Sequence, residues 1–103
     1  MKFKIALLTL VAAAGLLARN AEGVVVEPDG SPASGATVLL KGEVDGSVRS
    51  YITKEDGSFT FVGLSPDADY LLRARDKDRE SKAARISRFN QNSKRIELKL
   101  PAK

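Results

Sequence analysis

Between Gly23 and Tyr70, short β-prone runs alternate with Asp-Gly turns at nearly even spacing. Gly23-Val24-Val25-Val26 leads into Pro28-Asp29-Gly30, Ala36 to Leu40 into Asp45-Gly46, and Tyr51-Ile52-Thr53 into Asp56-Gly57. An Asp-Gly pair supplies the positive φ that tight hairpins need, and Pro28 presets φ for a turn. Runs this short, reversed this often, close into an all-β sandwich with no helix of useful length.

Alternation sharpens the expectation to seven strands, at about 22–27, 36–41, 47–53, 58–62, 70–76, 82–88 and 94–100. Ala36, Val38 and Leu40 share one face, as do Phe59 with Phe61, Tyr70 with Leu72 and Ala74, and Ala84 with Ile86. Ile96, Leu98 and Leu100 face inward on the last strand, with Arg95, Glu97 and Lys99 outward. Val48 and Ile52 share a face opposite Arg49, Tyr51 and Thr53, and Tyr51 is read as outward.

The N-terminus has a different character. Lys2 and Lys4 precede an apolar run from Ile5 to Leu17, broken by Thr9 and Gly15, and Ala18 or Ala21 can end it. This is the layout of a secretory signal peptide, expected over 1–21 with cleavage near 18–21. The run is short of the roughly 20 apolar residues that a bilayer span needs. Residues 22–103 then form one small exported domain, periplasmic or extracellular, with no transmembrane segment. The chain has no Cys, so no disulfide supports the core and no lipid can be attached at a cysteine.

Charge is unevenly distributed. Residues 22–72 carry 3 basic and 9 acidic side chains, a net of −6, while residues 73–103 carry 11 and 4, a net of +7. Arg73, Arg75, Arg85, Arg95 and Lys99 all fall on outward phases of the last three strands. If those strands share a sheet, they form a basic face for an acidic protein or an anionic envelope polymer. With so few aromatics, and on an exported protein, that face does not read nucleic acid.

Several motifs resemble the carboxypeptidase regulatory-like domain, a prealbumin-like (transthyretin-like) sandwich. They are Gly23-x-Val25, Asp29-Gly30-x-Pro32, Gly35-Ala36-x-Val38, Thr53-x-x-Asp56-Gly57-x-Phe59-x-Phe61 and Gly63-Leu64-x-Pro66-x-x-x-Tyr70. The resemblance covers about 22–100 and implies a seven-stranded antiparallel Greek-key sandwich. It also implies a non-catalytic module of the kind found beside enzymes, adhesins and outer-membrane receptors. Two departures stand out: Asp67-Ala68-Asp69 where a Pro-Gly-x-Tyr variant is usual, and Arg79 where a Gly is common.

Chemistry-bearing residues are sparse. There is no His to act as general base or zinc ligand, and no Cys to act as nucleophile. No cofactor is expected. The acids suit turns better than a calcium site, because loops at opposite ends of a sandwich lie about 17 Å apart across a five-residue strand. The best remaining trio, Asp29, Asp56 and Asp78, is interleaved with Lys54, Lys77 and Arg79. Tyr51 offers a single ring to a glycan. The expected function is therefore an interaction or structural module at the cell envelope, with a glycan- or anionic-polymer-binding module as the alternative.

Overall fold

The structure, a computed structural model, describes residues 19–89 and 95–103; the expected signal peptide, apart from Arg19–Ala21, lies outside them. The described residues hold eight strands and no helix: β1 (Arg19–Val26), β2 (Thr37–Gly42), β3 (Val48–Ile52), β4 (Ser58–Leu64), β5 (Tyr70–Asp76), β6 (Arg79–Glu80), β7 (Ala84–Ile86) and β8 (Ile96–Lys99). They form two sheets, one ordered β4-β1-β8 and the other β3-β2-β5-β6 with β7 also paired to β5. Val25, Val38, Leu40, Phe59, Leu72, Leu98 and Leu100 fill the space between the sheets.

The expected sandwich is present, with four corrections. The strands number eight because the expected sixth strand, 82–88, is shortened to β7 and a separate two-residue β6 forms before it, in the expected turn. The hydroxyl of Ser81 separates β6 from β7 by accepting the Ala74 N–H and donating to the Lys82 carbonyl, so the chain leaves the ladder there. The sheets are not wholly antiparallel, because β8 runs parallel to β1 from Gly23↔Ile96 to Val26↔Lys99. β1 begins at Arg19, three residues early, and the Arg19 guanidinium donates to the carbonyls of Ser87 and Ala68.

The fourth correction inverts β3. Val48 and Ile52 face solvent, while Tyr51 turns inward and meets Phe61 edge-on at 6.0 Å. Buried Thr53 sets this phase. Its hydroxyl donates to the Ala33 carbonyl at 2.7 Å and accepts the Ala36 N–H at 2.9 Å. Turning β3 over would leave those buried backbone groups unpaired, a larger cost than exposing two aliphatic side chains.

The turns follow local chemistry. At Asp29, Asp45 and Asp56 the carboxylate accepts the backbone N–H of a serine two residues on. The intervening Gly30, Gly46 and Gly57 take φ of 90°, 70° and 79°. At Gly57 there is a second constraint, since a Cβ there would lie 2.5 Å from the Val25 carbonyl oxygen.

Arg79 departs from the family pattern and is buried, 7% exposed. It bonds Glu27 at 2.7 Å, Asp76 at 2.7 Å and the Pro101 carbonyl at 3.1 Å. One planar fork thus ties the end of β1, the end of β5 and the C-terminal tail together. Lys77 takes φ of 58° to complete the β5–β6 turn that presents it.

These contacts dictate a pH dependence. Arg79 holds the Glu27 carboxyl below its ordinary range, the Arg88 N–H does the same for Asp69, and serine bonds lower Asp29, Asp45 and Asp56. The folded state therefore binds these protons more weakly than the unfolded chain. The stability they contribute is full above the ordinary carboxylate range and is lost as pH falls through the depressed values. No His is present to titrate near neutrality. A series of thermal melts should give a flat midpoint from about pH 6 to 8 and a steady fall below about pH 4. A midpoint that changes between pH 6 and 8, or is unchanged at pH 3, contradicts this account.

Candidate functional site

The basic residues expected on one face are divided by the topology. Arg73 and Arg75 lie on β5 and Arg85 on β7, all in the five-stranded sheet. Lys99 lies on β8, and Arg95 just before it, in the other sheet. The strands that carry the C-terminal charge belong to opposite layers, so no continuous face unites the five.

The three on the five-stranded sheet are not equivalent. Arg85 is held by Glu43 at 2.7 Å and by buried Asp69 at 2.9 Å. Arg73 and Arg75 share a single acid, Glu80, at 3.3 and 3.2 Å. Both side chains are more than half exposed, 53% and 54%. Exposed pairs of this kind contribute little to stability and exchange readily with another carboxylate.

Beside them is a feature that charge alone does not reveal. Leu39, Val48 and Leu71 project from the outer face of β2, β3 and β5, where a sheet in water usually carries polar groups. With Lys41, Arg73 and Arg75 they line a shallow trough of about 240 Å³ that Glu80 closes at one side. Register brings them together: Lys41 pairs with both Val48 and Leu71, and Leu39 pairs with Arg73. Two sequence signals mark the trough, Leu71 on an outward phase and Leu39 between the inward Val38 and Leu40.

Tyr51, the candidate glycan contact, is half-buried against the core and leaves no ring platform on the sheet. Phe89 is 83% exposed, and the Arg88 guanidinium stands over its ring at 5.5 Å. Asp29 and Asp56 serve their turns, and among the described residues no cluster of three acidic, His or Cys groups is arranged to hold a metal ion.

Fold and surface together define a β-sandwich with a mixed apolar and basic trough on one sheet. The sequence matches the carboxypeptidase regulatory-like domain over residues 21–100, and the chain belongs to that family. The family is a non-catalytic, regulatory domain type. No curated protein matches the sequence.

Proposed function

We propose that this domain is a non-catalytic interaction module at the cell envelope that grips a protein partner in the trough of its five-stranded sheet. The observation that carries this reading is the pairing of Leu39, Val48 and Leu71 with Arg73, Arg75 and Lys41. An apolar floor with a cationic rim suits an acidic polypeptide segment that buries an aliphatic or aromatic side chain. A glycan would want a ring, and Tyr51 is turned inward. A purely anionic polymer would have no use for the three aliphatic groups.

The location rests on Lys2, Lys4 and the Ile5–Leu17 run, read as an export signal. Of its two possible ends, Ala18 suits the fold better than Ala21. Removal of residues 19–21 would delete Arg19, its bonds to Ser87 and Ala68, and buried Ala21. Among the described residues no helix is long and apolar enough to cross a membrane.

The test is retention on isolated envelope material at low and moderate salt, with folding of each variant checked by its melt. Arg73→Glu combined with Arg75→Glu should weaken retention about tenfold, mostly at low salt. Leu71→Gln should weaken it at both salts. Arg95→Glu combined with Lys99→Glu, on the opposite sheet, should leave it unchanged. Protease treatment of the envelope should abolish capture. Unchanged retention by folded trough variants would overturn the proposal, and survival of capture after proteolysis would point instead to an anionic polymer.

A further inference from the structure

The sandwich has four sheet edges, and three are blunted. The β6–β7 edge is broken into pieces of two and three residues. Along β8, Glu97 and Lys99 place charges on a four-residue strand. On β4, the Ser58 N–H and C=O are taken by Asp56 and the Lys54 N–H, the Val62 carbonyl accepts from Arg49 at 3.0 Å, and Gly63 at φ 70° bends the strand away. These are the usual devices that stop a sheet from adding another strand.

β3 keeps only one of them, a single charged residue, Arg49. The bonds that bracket its ladder to β2, from Gly42 N–H to the Ser47 carbonyl and from Thr53 N–H to the Ala36 carbonyl, set the hydrogen-bonding phase. Odd-numbered residues bond to β2, so the N–H and C=O of Val48, Ser50 and Ile52 point to the open side. Among the described residues no hydrogen bond engages those six groups. Val48 and Ile52 are 61% and 68% exposed, and the strand's one charge, the exposed Arg49, is engaged by the Val62 carbonyl at 3.0 Å and the Phe61 ring at 5.7 Å.

The five residues are also complementary to themselves. Antiparallel pairing about Ser50 sets Val48 against Ile52 of the second copy, Ser50 against Ser50, and Arg49 against Tyr51. All three even-numbered positions then form hydrogen-bonded pairs, and the two aliphatic side chains meet on the outer face. No like charges stand opposite one another. A slip of two residues would leave two such pairs in place of three.

We infer that β3 is a docking edge for a second copy of this chain, joined antiparallel about Ser50 into a two-fold dimer with a continuous sheet. An edge of five residues is small, so the dimer is weak and forms with rising concentration. It would set two troughs side by side on one outer face, because Val48 belongs to both the trough and the edge. A tandem acidic partner would then be held by avidity.

Sedimentation velocity of the purified protein across a hundredfold concentration range should show a monomer–dimer equilibrium. Ser50→Pro removes an N–H that β2 does not use, so it should leave the fold intact and the protein monomeric. If that variant melts early, Ile52→Lys on the exposed face replaces it with the same expected loss. Ser50→Cys should oxidise to a covalent dimer much faster than Ser34→Cys, since a two-fold pair of this type sets its Cα atoms about 5.5 Å apart. The native chain holds no cysteine to compete. A protein that stays monomeric throughout, a dimer unaffected by both edge variants, or equal oxidation at the two positions would each overturn the inference.

Discussion

Replacing Gly23 with alanine should destabilise the domain by at least about 3 kcal/mol, the upper end of what overpacking a core usually costs. The reason is where β1 sits. It is the central strand of its sheet, paired antiparallel to β4 and parallel to β8. A Cβ on Gly23 would fall inside contact with the Ile96 carbonyl oxygen of β8, and would lie 2.5 Å from Cζ and 2.8 Å from Cε2 of Phe59 on β4. A side chain can swing aside, but a paired backbone carbonyl moves only if β1 and β8 part. Alanine at 23 should therefore remain destabilising when Phe59 is also shortened to leucine. The measurement is a urea titration of the variant, the Phe59→Leu single variant and the double variant. Full recovery in the double variant would show that the ring, and not the β8 backbone, sets the limit.

Phe59→Ala should cost about 3–5 kcal/mol, the range for emptying a large core site. Phe59 is 1% exposed, and its ring lies over Gly23 and tilts against Phe61 at 6.1 Å. For a domain of this size that loss is a large share of a total of roughly 5–15 kcal/mol. It corresponds to a fall in melting midpoint of roughly 15–30 °C. Differential scanning calorimetry reads it directly, and a shift of only a degree or two would place the ring outside the core. The two effects are coupled, because glycine on one strand gives the aromatic ring on the next its seat. The double variant should thus depart from the sum of the singles.

Local features were legible from the chain itself. Each Asp-Gly pair forms the turn it predicts, because a carboxylate two residues before an N–H and a glycine free to take positive φ need no tertiary partner. Ala36, Val38, Leu40, Phe59, Phe61, Tyr70, Leu72, Leu98 and Leu100 all face the core as their alternation requires. The family motifs have physical causes as well: Gly23 is pinned beneath Phe59, and Gly57 against the Val25 carbonyl.

What alternation could not decide was anything that depends on a distant partner. β3 carries apolar groups on both phases, so its pattern is nearly symmetric, and the buried bonds of Thr53 to Ala33 and Ala36 choose the face. Arg79 stands where the family commonly has a Gly, and nothing local in the sequence explains it. Only folding brings Glu27 and Asp76 to it from 52 and 3 positions away. The basic residues failed as a group for the same reason. Membership of a sheet is set by long-range pairing, here the parallel contact of β8 with β1, and no local signal encodes it. The sequence alone determined a turn-rich sandwich and most of its core, through interactions a few residues long. The division of its arginines, the trough beside Arg73 and Arg75, and the open edge of β3 arise where strands far apart in sequence meet, and the tertiary structure decided them.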